Sequence, residues 1–70
     1  MIIKEIEKNS KEKIRISIDE FRGHKFCSVR VYFEDDKSEW WPTKKGIAIA
    51  PHLLDGVIAA LQAARGYSVP

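Results

Sequence analysis

Phe21-Arg22-Gly23-His24-Lys25-Phe26-Cys27-Ser28-Val29-Arg30-Val31-Tyr32-Phe33 is the segment from which the rest of the chain can be read. Gly23 sits among polar neighbours and is free to take positive φ, which marks a hairpin turn at Arg22-Gly23-His24. From about Lys25 to Phe33 the residues alternate. Cys27, Val29, Val31 and Phe33 fall on one face, and Phe26, Ser28, Arg30 and Tyr32 on the other. The first set reads as the core face, so the second presents rings and a cation outward. On the other side of the turn, Ile14, Ile16 and Ile18 alternate with Arg15, Ser17 and Asp19, the period of a half-buried strand.

Working outward, residues 1–12 carry alternating charges with Ile2, Ile3 and Ile6 as their apolar anchors. They read as an N-terminal arm or an extra strand, leaving 13–70 as the domain proper. Asp35-Asp36-Lys37-Ser38 is a turn by composition. Glu39-Trp40-Trp41 reads as a short strand, which Pro42 shortens or places at an edge. Gly46-Ile47-Ala48-Ile49 reads as a further short strand. Pro51 then suits the first turn of a helix. Leu53, Leu54, Val57, Ile58 and Leu61 form its apolar stripe, Gly56, Ala59 and Ala63 make its other side small, and Gly66 reads as its stop. Strands followed by one terminal helix predict an α+β unit, a four-stranded antiparallel sheet with the helix on one face and the other face free.

Seventy residues make one domain. A chain of this size buries only about 60% of its unfolded surface and needs a supplement to its core. One cysteine allows no internal disulfide, and one cysteine with two histidines does not make a zinc site. No metal or other cofactor is expected. Oligomerisation remains, so a homodimer is expected. The lone Cys27 fits a reducing compartment, and no apolar run approaches the roughly 20 residues that span a bilayer. The expected location is cytoplasmic or nucleoid-associated, or nuclear in a eukaryote.

The net charge of +2 says little, but its distribution says more. Arg22 to Arg30 holds three cations and a histidine with no acid, and Lys44-Lys45 is a second basic point. An enzyme would need a base, a nucleophile or a metal with supporting partners. His24 and Cys27 point to opposite faces of a strand, and Asp35 and Asp36 sit in a turn, so no catalytic function is expected. Rings beside cations suit unpaired bases and phosphates. The same surface would serve RNA, or a protein partner.

Phe-Arg-Gly-His-Lys, then Val-Arg-Val-Tyr-Phe, then Trp-Pro-Thr-Lys-Lys-Gly-Ile-Ala-Ile-Ala-Pro resembles the transcriptional coactivator positive cofactor four family, in the short form carried by bacteria and phages. The resemblance runs from about Ile14 to Pro51 and on into the helix. It implies a homodimer that binds single-stranded or unwound DNA with little sequence preference, acting in transcription or in protection of exposed strands, with transcription machinery as a further partner. It also implies roles for particular residues. Phe21 stands at a stacking position, and Arg22, with Lys25 beside it, at a basic turn. His24 stands where the family usually has lysine. Arg30 matches a strand arginine that faces nucleic acid, and its alternative is an ion pair with Glu39. Phe33 stands where the family has tryptophan, although its parity places it on the core face. Lys44, Lys45 and Gly46 match a basic loop that approaches phosphate. The Trp40-Trp41 pair is unusual there. Trp40 is expected inward, and Trp41 outward as an added stacking platform.

Overall fold

The structure is a computed structural model that describes residues 1–68. Four strands, β1 (Ile2–Asn9), β2 (Glu12–Phe21), β3 (His24–Glu34) and β4 (Trp40–Ile49), are followed by one helix, α1 (Pro51–Ser68). The strands form an antiparallel meander in the order β1-β2-β3-β4. Its centre is the β2–β3 hairpin, in which Phe21 pairs with His24 and unbroken pairing runs back to Glu12 opposite Phe33. The turn is two residues, Arg22 (φ 51°) and Gly23 (φ 80°), so His24 belongs to β3 rather than to the turn. Positive φ at both positions defines a type I′ turn, whose twist matches that of the strands.

Three boundaries differ from the sequence reading. Of the two readings of 1–12 the extra strand holds, since Ile2–Asn9 is an edge strand paired with β2, but β2 already begins at Glu12. Trp40-Trp41 and Gly46–Ile49 are parts of one strand, β4. Pro42 is tolerated because β4 is an edge, and a bulge absorbs the residues between the two halves: Arg30 pairs with Gly46, but Tyr32 pairs with Pro42. Thr43 ties this bulge down, donating from Oγ1 to the Val31 carbonyl (2.7 Å) and accepting from the Lys45 amide (3.1 Å). Gly66 does not stop the helix, which runs on to Ser68. The exposed end is carried through by Ala59, Ala60, Ala63 and Ala64, strong helix formers that offset one glycine.

The helix covers one face of the sheet, as expected. Leu54, Val57, Ile58 and Leu61 line a cleft of about 470 Å³ against Ile16, Ile18, Cys27, Val29, Ile47 and Ile49, with Ile3 closing it from β1. Every lining residue is apolar, yet only Cys27 (8% exposed) and Ile49 (5%) are buried among the described hydrophobic residues. Ile47 (58%) and Leu61 (65%) remain largely exposed. The single chain leaves its own apolar layer half open.

The β3–β4 connection is organised by Asp35. Its Oδ1 accepts from the amides of Lys37 (2.8 Å) and Glu39 (2.9 Å), and its Oδ2 accepts from the Trp41 indole (2.7 Å). These donors, the Glu39 amide foremost and the Trp41 indole next, hold the Asp35 carboxyl below its ordinary value of 3.8. Ionised Asp35 therefore favours the folded turn above that ordinary value, and the contribution is lost as pH falls through the lower folded-state value. Tryptophan fluorescence followed from pH 6 downward should change below about pH 4. Asp35→Ala should lower the melting temperature at neutral pH and remove that acid limb. An unaltered acid limb in the variant would assign it to other carboxylates.

Candidate nucleic-acid interface

The sheet face opposite α1 carries no covering element among the described residues. Cross-strand partners share a face, so the register gives this open face as a series of rows. At the hairpin tip stand Phe21 and His24, then Asp19 and Phe26. Next comes Ser17-Ser28-Ala48, a row of small side chains across three strands. It is followed by Glu5-Arg15-Arg30-Gly46, then Glu7-Lys13-Tyr32-Pro42, and last Glu34 with Trp40. A low trough thus crosses β2, β3 and β4 between two ring-bearing ends, with Ile2 at its β1 end.

Cations lie over rings on this face. Arg15 stacks on Tyr32 with Cζ 4.0 Å from the ring centroid, and the Lys13 ammonium lies 4.3 Å from that of Trp40. At the tip, Arg22 lies 5.1 Å from the Phe21 ring, which is 64% exposed. Arg22 occupies a left-handed conformation that costs a non-glycine residue energy, and the tight turn imposes it.

Arg30 does not pair with Glu39. Its Nη1 donates to the Thr43 carbonyl at 2.8 Å, so the bulge in β4 supplies its anchor. The guanidinium passes over Gly46, where an added Cβ would lie 2.9 Å from Arg30 Cζ and 2.8 Å from the Val29 carbonyl oxygen. Gly46 therefore has a definite packing role, to let Arg30 lie down across β4.

The residues expected to bind are divided between surfaces. Phe21, His24 and Arg30 share the open face, and Arg22 stands in the turn at its end. Lys25 pairs with Glu20 on the helix side. Phe33 pairs with Trp41, also on the helix side but beyond the end of the cleft, and Trp41 is 48% exposed. The expected exposures of the two tryptophans hold, but their faces are reversed. Trp40 is half-buried on the open face, and Trp41 is exposed on the face that carries the core. Parity counted back from Ile47 places Trp41 on the helix side, as observed, because the bulge adds two residues to β4 and so preserves alternation. Lys44 and Lys45 lie in the bulge at the sheet edge, with Lys45 beside Ile14, Val31 and Ile47 on the helix side. Lys13, Arg15, Tyr32 and Trp40 form a group that the sequence alone does not single out. Lys13, Arg15 and Tyr32 share a face with Arg30 by alternation and register, and Trp40 joins them because the bulge keeps it in phase with Gly46 and Ala48.

Residues 8–60 match the family described as Transcriptional Coactivator p15 (PC4), and the chain belongs to that family. It is similar to BPSL1147, a PC4 homolog from Burkholderia pseudomallei, in two crystal forms. Identity is 35% and TM-score 0.88 in both, covering 93% of this chain and 88% of the orthorhombic-form chain or 96% of the tetragonal-form chain. It is also similar to the bacteriophage T5 homolog of PC4, a protein implicated in recombination-dependent DNA replication. There the identity is 26% and the TM-score 0.76, over 97% of this chain and 78% of that one. No curated protein sequence shows significant similarity to the chain.

Gly46→Ala tests the packing of the arginine row. It should destabilise the fold by about 1–3 kcal/mol, the range for overpacking, as measured by urea unfolding. Because the Val29 carbonyl oxygen is also too close, adding Arg30→Ala should restore only part of the stability. Full restoration would mean that the guanidinium is the whole obstacle.

Proposed function

We propose that this protein binds single-stranded or unwound DNA without catalysis and with little sequence preference, as a homodimer. The observation that carries the reading is the open face, where cations and exposed or half-exposed rings alternate across β2, β3 and β4. Bases stack on rings whatever their identity, and cations meet the phosphates between them. Phe21, Phe26, Tyr32 and Trp40 supply rings, and Lys13, Arg15, Arg22, His24 and Arg30 supply donors. A strand leaving this face over the β4 edge meets Lys44 and Lys45. Phe33, Trp41 and Lys25 lie across the sheet from it and belong to a second contact region in this reading. Membership of a coactivator family and likeness to a phage protein implicated in recombination-dependent replication support work on unpaired DNA.

The half-open apolar cleft supports the dimer. A second copy laid against α1 and β4 would cover Leu61 and Ile47, which the single chain leaves exposed. No helix among the described residues is long and apolar enough to cross a membrane.

Titration with labelled oligo-dT, oligo-U and duplex DNA tests the reading. Oligo-dT should bind more tightly than duplex at matched salt. Arg15→Ala and Arg30→Ala should each reduce the log–log salt slope by about 0.7 for every phosphate that the variant no longer neutralises. Phe21→Ala should weaken binding by about 1–3 kcal/mol with little change in slope. Equal affinity for single strands and duplex would leave only a basic patch, and a preference for oligo-U would make the ligand RNA. Light scattering should give the mass of two chains, and a single-chain mass at tens of micromolar would refute the dimer.

A further inference from the structure

Arg15 and Arg30 stand directly opposite each other across β2 and β3, a like-charge pairing that costs stability. Each guanidinium is drawn away from the other. Arg30 is anchored to the Thr43 carbonyl. Arg15 is drawn the opposite way, its Nε donating to Glu5 Oε2 at 2.8 Å. The same Glu5 oxygen lies 3.0 Å from the Lys13 ammonium. One carboxylate oxygen thus serves both cations that cover Tyr32 and Trp40. Arg15 and Lys13 together hold the Glu5 carboxyl below its ordinary range, Arg15 foremost, so Glu5 is an anion at neutral pH.

A register irregularity delivers Glu5 to this position. Ile2 pairs with Ser17, but Lys4 pairs with Ile16, so Ile3 is an extra residue in β1. Regular pairing from Ile2 would set Lys4 opposite Arg15 and Glu5 opposite Ile14, on the helix side. The bulge turns Ile3 into the apolar cleft and sets Glu5 opposite Arg15. Glu5 also lies outside residues 8–60, the part of the chain that matches the family.

We propose that Glu5 is a built-in phosphate surrogate, occupying the anion position between Arg15 and Lys13 in the free protein and displaced by a backbone phosphate when a single strand binds. The proposal rests on the open-face reading above. Its consequence is quantitative. A cation already neutralised within the protein exchanges one anion for another, so Lys13 and Arg15 contribute less to the salt dependence than their number implies. Glu5 sets both the affinity and the salt sensitivity of the interface.

Glu5→Gln keeps the shape and removes the charge. It should tighten oligo-dT binding about two- to tenfold at low salt, the range expected for relieving one or two exposed ion pairs. Between about 50 and about 200 mM salt its log–log slope should steepen by up to about 0.7 for each cation released. Adding Arg15→Ala to Glu5→Gln should remove much of the gain. Unchanged or weaker binding by a Glu5→Gln variant with the parental melting temperature overturns the proposal, while weaker binding by Arg15→Ala alone keeps the open-face reading intact. If Arg15→Ala and Lys13→Ala both leave binding unaltered, the open-face reading itself fails. A measurement on the unmodified protein covers the case of a misfolded variant. The Glu5 carboxyl ¹³C resonance should shift on saturation with oligo-dT, and a resonance that does not move overturns displacement.

Discussion

Register between β2 and β3 is the constraint on which the rest of this molecule depends. The two-residue turn at Arg22-Gly23 fixes Phe21 opposite His24, and every later pair follows from it. Because side chains alternate, a slip of one residue would carry Ile14, Ile16 and Ile18 to the open face and turn Lys13 and Arg15 toward the helix. The core and the proposed binding face would both be lost through the same displacement. The strained φ of Arg22 is held by ten consecutive cross-strand pairs, more than enough to impose it.

How far the sequence was legible follows from where alternation is unbroken. β2, β3 and the helix stripe could be read directly, because their periods continue without interruption from end to end. The family resemblance was equally legible, and residues 8–60 bear it out. Legibility failed at the bulges. The two halves of β4 looked like separate strands because their pairing is interrupted, and the tryptophans were given the wrong faces although the two added residues keep Trp41 in phase with Ile47. The bulge at Ile3 similarly hid the pairing of Glu5 with Arg15. Gly66 misled for another reason: one glycine costs a helix only about 1 kcal/mol, and the alanines before it carry the helix through to Ser68.

The two faces of the sheet solve different problems with the same strands. The helix side collects aliphatic side chains and leaves that layer half covered. The open side gathers charges that oppose one another, and each is steadied by a neighbour: Arg30 by the Thr43 carbonyl, Arg15 by Tyr32 and Glu5, Lys13 by Trp40 and Glu5. Opposed arginines are a local conflict that packing alone does not require. Such conflicts are expected where a surface is shaped for a ligand.

The interruptions at Ile3 and at Thr43–Lys45 have another effect, on what this sheet can join. Both outer strands break their ladders, and Pro42 offers no amide to a neighbouring chain. Neither border presents the long, even row of donors and acceptors that recruits further strands. A small sheet with an incompletely covered apolar side is the kind of object that polymerises by edge addition. Here growth along the sheet is obstructed at both borders, so edge addition is not an open route for this chain.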